Sequence, residues 1–582
     1  MLTWTRIALI VSLCVSLTLG LSLSLSADNG RVLLVCPRGC PYASINTALS
    51  LAHNGDIVQV GPGIYLEHIM MRPGVTIRGE GSNVSIITGA DADTVVRAYG
   101  AAIDRNAVLE GVTIIAGKSF AGGGIDIRGG ASPVIRNNLI TANTAGNSES
   151  YGGGIFISGG SPLISGNVFT KNYASWGGGA IAIWDGSTAV ITNNHFQDNK
   201  AYQYGGGINV TRSTPTITGN TVISNTALYG GGVDMFDSSP EFANNIILRN
   251  TAGTHGGGVY LRNGCAPFIF ANTFMTNTAY YYGGGLYMDR SPASVTGNNF
   301  QYNDADTGGG IYVDRSSPYI ARNMILGNTA GYHGAGIHIH NSSATVDNNN
   351  ILGNTAIIGG GGLGIDGHSW PIITNNTLAN NACGMFGAAV YIEGSSPNLI
   401  NNMIARNASS YQAGGIYVQN ATPLIQNNTI AYNDLGGNGE GIYLAVRSFP
   451  TVTNNIIIGN GYGISTAVTF DDEQEEPVIV CNDVWDNHSG NFAGVPAADN
   501  ISADPLFVRG RDGAFYLSQV AAGQSDNSPA VDAGTGPAGD LGLAERTTAV
   551  QDIPDEGIVD MGFHYRALFH KTYMPAILGE RP

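Results

Sequence analysis

"YGGGIFISGGSPLISGNVFTKN" runs from Tyr151 to Asn172. A glycine triplet enters an alternating apolar segment, a Ser-Pro step follows, and two Asn residues five positions apart close the stretch. One copy could pass for a linker; its recurrence in register excludes that. The apolar residue after each glycine cluster returns from Ile125 and Ile155 to Ile442 and Ile464, fourteen times. The spacing is 25 to 27 residues, except 30 at the first step and 22 at the last. The first Asn recurs from Asn138 to Asn482, and the second five residues later, from Asn143 to Asn487.

Segments such as "GIYV", "PYIAR" and "NMILG" alternate in period two and read as short strands. Pro before the second strand and Asn or Gly between strands mark turns. About 26 residues at ~3.3 Å each suffice for one three-sided coil. They do not suffice for an independent domain, so each coil completes its hydrogen bonds and its core by stacking on the next. Equivalent Asn residues then recur at ~4.8 Å and can bond from coil to coil. The expected fold is all-β, a parallel β-helix solenoid with Asn ladders. Leucine-rich repeats share the period but need a Leu consensus. Calcium-binding nonapeptide repeats have a period of nine, and a propeller blade is longer.

The GG-G/A-I and F-x-x-N elements, as in "YGGGIFI" with "NVFTKN" and "WGGGAIAI" with "NHFQDN", carry a resemblance. They resemble the right-handed parallel β-helix proteins of the pectin-lyase-like superfamily, polymorphic outer-membrane proteins and secreted β-helix repeat proteins among them. The resemblance implies a right-handed coil and is specific for fold. It leaves activity open, since this fold hosts lyases, hydrolases, epimerases, adhesins and binding proteins. The glycosidase Gly-His-Gly and the epimerase Asp-Pro-His-Glu are both absent.

Five segments are expected: a signal peptide over 1–27, an N-terminal cap and first coils over 28–118, regular coils over 119–488, a C-terminal cap over 489–567, and a tail over 568–582. Arg6 precedes an apolar run from Ile7 to Leu19, with cleavage expected after Ala27. No later segment is long and apolar enough to span a bilayer. Ser44 is placed to cap a short helix with Ile45, Ala48, Leu49 and Ala52 on one face. That helix would plug the open end of the stack. "DPLFVRGRDGAFYLSQV" and "DEGIVDMGFHY" are similar to post-helix segments of secreted β-helix proteins and are expected as a β cap over the last coil. "HKTYMPAIL" is a terminal strand or a surface-retention signal. The acidic run Asp471 to Glu476 is a solvated loop, with Ca2+ the one cofactor it suggests.

Formal net charge is −17, which argues against nucleic acid and anionic lipid as partners. Cys36 and Cys40 are spaced for a local disulfide in an oxidising compartment. Cys265, Cys383 and Cys481 read as small core residues.

Register assigns faces. With the apolar residue after the glycines as position zero, zero and plus two point inward, and plus one and plus three point outward. The plus-one row holds Tyr260, Tyr287, Tyr312, His338, Gly364, Tyr391, Tyr417 and Tyr443. The plus-three row holds Arg262, Asp289, Asp314, His340, Asp366, Glu393 and Gln419. A third aromatic set precedes the glycines. Two readings fit: aromatic rows that pack coil on coil, or an extended groove in which rings stack on sugars. The candidate catalytic residues are Asp289, Asp314, His340 and Asp366, as a carboxylate pair with a neighbouring base. The candidate substrate-binding residues are Tyr260, Tyr287, Arg290, Tyr312, Arg315, His338, Tyr391, Glu393 and Tyr417, the arginines facing a uronate carboxylate. His338, His340, Asp366 and His368 also have transition-metal chemistry, although the pattern singles out no metal. The expected protein is secreted or on the cell surface. It binds a polysaccharide or cell-surface glycan, with lyase, hydrolase or epimerase activity if it is an enzyme. A non-catalytic adhesin or surface scaffold is the alternative, and a periplasmic metal-handling protein a third.

Overall fold

The computed structural model describes residues 30–146, 148–433, 439–467 and 476–567. The signal segment, most of the acidic run and the tail lie outside them. Three parallel sheets run the length of a solenoid, and a fourth, shorter one accompanies them over part of it. One coil shows the plan: Leu286–Asp289 in the first sheet, Ser294–Thr296 in the second, Asn299–Gln301 in the third, and Asp304–Ala305 in a short fourth. Each strand pairs in register with its equivalents one coil before and after, as Leu286–Asp289 does with Val259–Arg262 and Ile311–Asp314. The short sheet begins at Lys118–Ser119 and ends at Ala408–Ser409, so the four-strand coil is confined between them. Outside it the coils have three strands.

The glycines make the corner from the short sheet to the first. Gly283 lies at φ +68, and a Cβ on Gly285 would stand 2.6 Å from the Gly310 carbonyl oxygen of the next coil. Most coils place glycine here and none takes more than a methyl group, at Ala180 and Ala389, which lets adjacent coils approach this closely. Positions zero and plus two are buried along the first sheet. They meet inward residues of the other sheets, including the stacked pair Phe274 and Phe300, 4.5 Å apart.

Both Asn ladders are present. Asn381 Nδ2 donates to Ile351 O at 2.9 Å and to Asn407 Oδ1 at 3.0 Å. Its own Oδ1 accepts from Asn354 N and Nδ2, both at 3.0 Å. Each buried amide thereby bonds to the coil before and the coil after its own, which answers the cost of burying it. The ladders close on residues outside the repeat: Asn500 receives Asn482 at 2.9 Å, and Asn491 receives Asn487 at 3.0 Å.

At the N-terminal end the helix Ile45–Leu51 covers the core, with Ser44 as cap and Ile45, Ala48 and Leu49 buried. Glu67 completes the cap by accepting from the amides of Ile45 and Asn46, each at 2.8 Å.

The C-terminal region departs from expectation. It does not only lie over the last coil. It doubles back along the outer face of the third sheet, holding two short antiparallel pairs, Phe507–Val508 with Tyr516–Leu517 and Arg546–Thr547 with Tyr565–Arg566. His564 N donates to Asn401 Oδ1 at 2.6 Å, and Asn427 Nδ2 donates to Asp560 O at 3.0 Å. The reason is an apolar stripe on that face. Met403, Ala405, Ala431, Ile456 and Ile458 point outward yet are buried, against Tyr516, Leu517, Ala530, Met561, Phe563 and Tyr565. Cys265 and Cys383 are buried as expected; Cys481 is only partly buried and occupies a left-handed corner at φ +55.

Candidate functional site

The site lies on the first sheet, where four consecutive strands end in polar residues: Leu286–Asp289, Ile311–Asp314, Ile337–His340 and Leu363–Asp366. Register aligns Tyr287, Tyr312, His338 and Gly364 in one row and Asp289, Asp314, His340 and Asp366 in the next.

The plus-one row points away from the core, as the period requires, but it is not open to solvent. Tyr260, Tyr287, Tyr312, Tyr391 and Tyr417 are each buried. Tyr260 stacks on Tyr287 at 5.0 Å and 6°, and Tyr391 on Tyr417 at 5.6 Å and 11°. The row before the glycines folds over them, with Tyr282 4.7 Å from Tyr312. The ring faces expected to meet sugar thus meet other rings, because coil spacing brings like residues to stacking distance. Tyr391 Oη donates to Glu393 at 2.7 Å, and Tyr417 Oη to Gln419 at 2.9 Å, so these residues are also partnered within the sheet.

The arginines are likewise engaged. Arg315 Nη2 donates to Asp289 at 3.0 Å and to Asp314 at 2.7 Å, and Arg290 Nη2 donates to Asp289 at 3.0 Å. Two carboxylates one coil apart repel, and the guanidinium groups that follow them in sequence turn back to neutralise both. Arg290 and Arg315 therefore do not stand free for a uronate, contrary to expectation.

His340 and Asp366 differ. They line a cleft of about 440 Å³ with Tyr281, Tyr282, Asp306, Thr307, Tyr312, Tyr332, His333 and His338. The cleft exists because small residues interrupt the aromatic rows. Thr307 and Gly359 stand in the row before the glycines, and Gly364 in the plus-one row. Across the gap at Gly359 and Gly364, His333 reaches Tyr391 two coils away and stacks on it at 4.7 Å and 9°. A Cβ at Gly364 would lie 2.7 Å from His338 Nδ1, so glycine is what admits that ring. Tyr281 and Tyr332 are exposed at the rim. They immediately precede the third aromatic row, and their repeated place one residue before it is the signal that marks them.

On the floor, His340 Nδ1 is 2.6 Å from Asp366 Oδ1, and His338 Nε2 is 3.4 Å from the same oxygen. Burial pushes the Asp366 carboxyl up, but His338 and His340 together outweigh it and hold the group well below the usual carboxylate range. The hydrogen bond to Asp366 raises His340, against partial burial. Burial, with His338 close by, lowers His333. His368 is not part of this group; it lies at φ +60 and lines a separate shallow cleft with Trp370. Of the four catalytic candidates, then, two line the cleft and two are locked with arginine beside it.

Two further clefts lie elsewhere on the molecule. About 270 Å³ upstream on the first sheet is lined by Tyr151, Trp176, Trp184 and Tyr204, with Arg262 held between Tyr204 and Phe236. Another, about 570 Å³, lies between the C-terminal belt and the corner that follows the second sheet, and contains none of the site residues.

The molecule is thus a parallel β-solenoid with an aromatic-walled polar cleft on one outer face. The chain belongs to the right-handed β-helix family, whose model matches residues 99–265, 229–351 and 335–495. Comparison with curated protein sequences finds no match. Among solved structures it is similar to the PL6 family alginate lyase AlyGC, at 11% identity over 83% of this chain and 80% of that one, with a TM-score of 0.26. It is also similar to the mannuronan C-5 epimerase AlgE6 A-module of Azotobacter vinelandii, at 13% identity over 79% and 94% of the two chains, with a TM-score of 0.18. Scores this low establish nothing about the chemistry of this chain.

Proposed function

We propose that the cleft between Tyr281 and Tyr332 binds a short stretch of an extended polysaccharide, at the cell surface or outside the cell. The observation that carries this is two exposed rings at the rim of a cleft whose floor is the His340–Asp366 pair. Aromatic rims pack on the C–H faces of sugars, and a carboxylate and an imidazole bond their hydroxyls. The upstream cleft with Trp176 and Trp184 lies on the same sheet and would meet the same strand of glycan. The Cys36–Cys40 disulfide and the signal-like first residues support an oxidising, extracytoplasmic setting.

Binding of acidic and neutral polysaccharides to the wild-type protein, to Tyr281→Ala and to Tyr332→Ala tests the reading. Affinity for at least one glycan should fall tenfold or more in each variant, and no binding across the panel would refute the proposal. New reducing ends or unsaturated products in the same assays would extend it to cleavage. The neutralisation of Asp289 and Asp314 by Arg290 and Arg315 favours the non-catalytic form, an adhesin or surface scaffold, in which glycan is held unchanged.

A further inference from the structure

We infer that His338, His340 and Asp366 form a binding site for one transition-metal dication of the zinc type, open on the cleft side. This deepens the glycan reading of the same cleft but is tested without glycan. One ligand atom from each of the three residues lies within 4.8 Å of the other two. Two imidazoles and one carboxylate suit Zn2+, Cu2+ or Ni2+, whereas Ca2+ and Mg2+ take oxygen ligands in larger numbers.

One of the two distances to Asp366 fits a metal better than it fits a hydrogen bond. With bonds of ~2.0–2.1 Å, neighbouring ligand atoms of a tetrahedral ion are ~3.3 Å apart. His338 Nε2 and Asp366 Oδ1 are 3.4 Å apart, long for a hydrogen bond and right for a tetrahedron edge. His340 Nδ1 is closer, at 2.6 Å from Asp366. That contact is the one a bound ion must open, and both side chains are partly exposed and have room to do so.

His338 is the second, independent observation. It is 2% exposed, and its Nδ1 has no hydrogen-bond partner. Tyr312 stacks on the ring at 5.0 Å, and Gly364 leaves it the space it occupies. A buried imidazole whose one polar approach is a long one is poorly compensated; a metal on Nε2 would replace that long approach with a full bond, the ring proton then standing on Nδ1. Outer support is also present. Asn341 Nδ2 is 2.8 Å from His340 Nε2. Asn oxygen and nitrogen are interchangeable by a flip, so with Nδ1 on a metal, Nε2–H donates to Asn341 Oδ1.

Three protein ligands leave a fourth position for water, a sugar hydroxyl or a uronate carboxylate. Among the described residues a second cluster, Asp532, Asp555 and Asp560, has no comparable vacancy. Asp560 accepts from Asp532 N at 2.7 Å and from Gln519 Nε2 at 3.1 Å, and Asp555 Oδ2 accepts from His564 Nε2 at 2.7 Å.

The test uses the full-length protein, stripped with chelator and titrated with Zn2+ by calorimetry, with Co2+ absorption as a second readout. One ion per chain and a tetrahedral Co2+ spectrum are expected. His340→Gln and Asp366→Asn, both at partly exposed positions, should keep the wild-type circular dichroism. They should weaken Zn2+ by more than ~100-fold, since loss of outer-shell partners alone costs ~10–100-fold. No stoichiometric ion in the wild type, or equal affinity in both variants, would overturn the inference. Glycan is absent from every arm, so that failure would leave the glycan reading standing.

Discussion

Asn380 and Asn381 are neighbours with opposite duties. Asn380 is exposed in a left-handed corner at φ +55, where glycine is at home. Asn381 is fully buried and bonded to the coils on both sides of its own. Asn380→Gly should leave the guanidinium midpoint within error, while Asn381→Ala strands the Asn354 amide. A buried unsatisfied group costs about 1–3 kcal/mol, so its midpoint should fall clearly below that of Asn380→Gly. His255 makes the other residue-scale prediction. Burial lowers its pKa, against Thr254, Asp289 and Asp314, and its Nδ1 has no partner. A histidine kept neutral by the fold contributes stability that is full above its unfolded pKa of ~6.5 and is lost as pH falls through the depressed folded value. Melting temperature should therefore drop between about pH 7.5 and about pH 5. His255→Tyr, which restores the residue type found at Tyr229 and Tyr282, should shrink that drop; an unchanged drop would exclude His255 as its source.

At the scale of the element, the glycine corner and the strand it feeds carry the fold. Gly285 has no left-handed angle to excuse it; its constraint is steric, with Gly310 O at 2.6 Å and Phe300 Cδ1 at 3.0 Å from a built Cβ. Gly186, by contrast, is at φ +73 with open space around it. Gly285→Val should cost about 3 kcal/mol through displaced backbone, since the equivalent Ala180 and Ala389 show that a methyl group is the most this corner takes, and Gly186→Ala about 1 kcal/mol through conformation alone. Thermal melts that reversed this order would place the strain elsewhere. The period of these corners was legible in the sequence because every coil repeats the same steric problem. The site was legible only in part. Register put His338, His340 and Asp366 together, since alternation and coil spacing are local rules. It could not show that Tyr287 and Tyr312 spend their faces on neighbouring rings, or that Arg315 reaches back one coil to Asp289. Nor could it show His333 crossing two glycines to Tyr391. Each of these depends on side-chain direction between coils, which the repeat leaves free.

At the scale of the molecule, one flank is covered and another is left open. The C-terminal belt shields the later coils of the third sheet, and the aromatic rows and clefts of the first sheet remain on the outside. The belt was illegible as such because it has no repeat. Its docking stripe was visible, though, where "NIIIGN" puts Ile456, Ile457 and Ile458 in succession and breaks the in-out alternation of its neighbours. The belt is fastened by side-chain amides at left-handed corners: Asn401 exchanges two hydrogen bonds with the His564 backbone, at 2.6 and 3.0 Å, and Asn427 holds Asp560 O at 3.0 Å. Replacing both with glycine preserves the positive φ of 56° and 53° and removes only the amides. Asn401→Gly with Asn427→Gly should therefore leave the coils intact by circular dichroism while loosening the belt. Limited proteolysis should cut between residues 504 and 567 at least severalfold faster than in the wild type, and dye binding to the uncovered Met403, Ile456 and Ile458 should rise. Unchanged cleavage in the double variant would mean that apolar contact alone, and not these amides, keeps the belt in place.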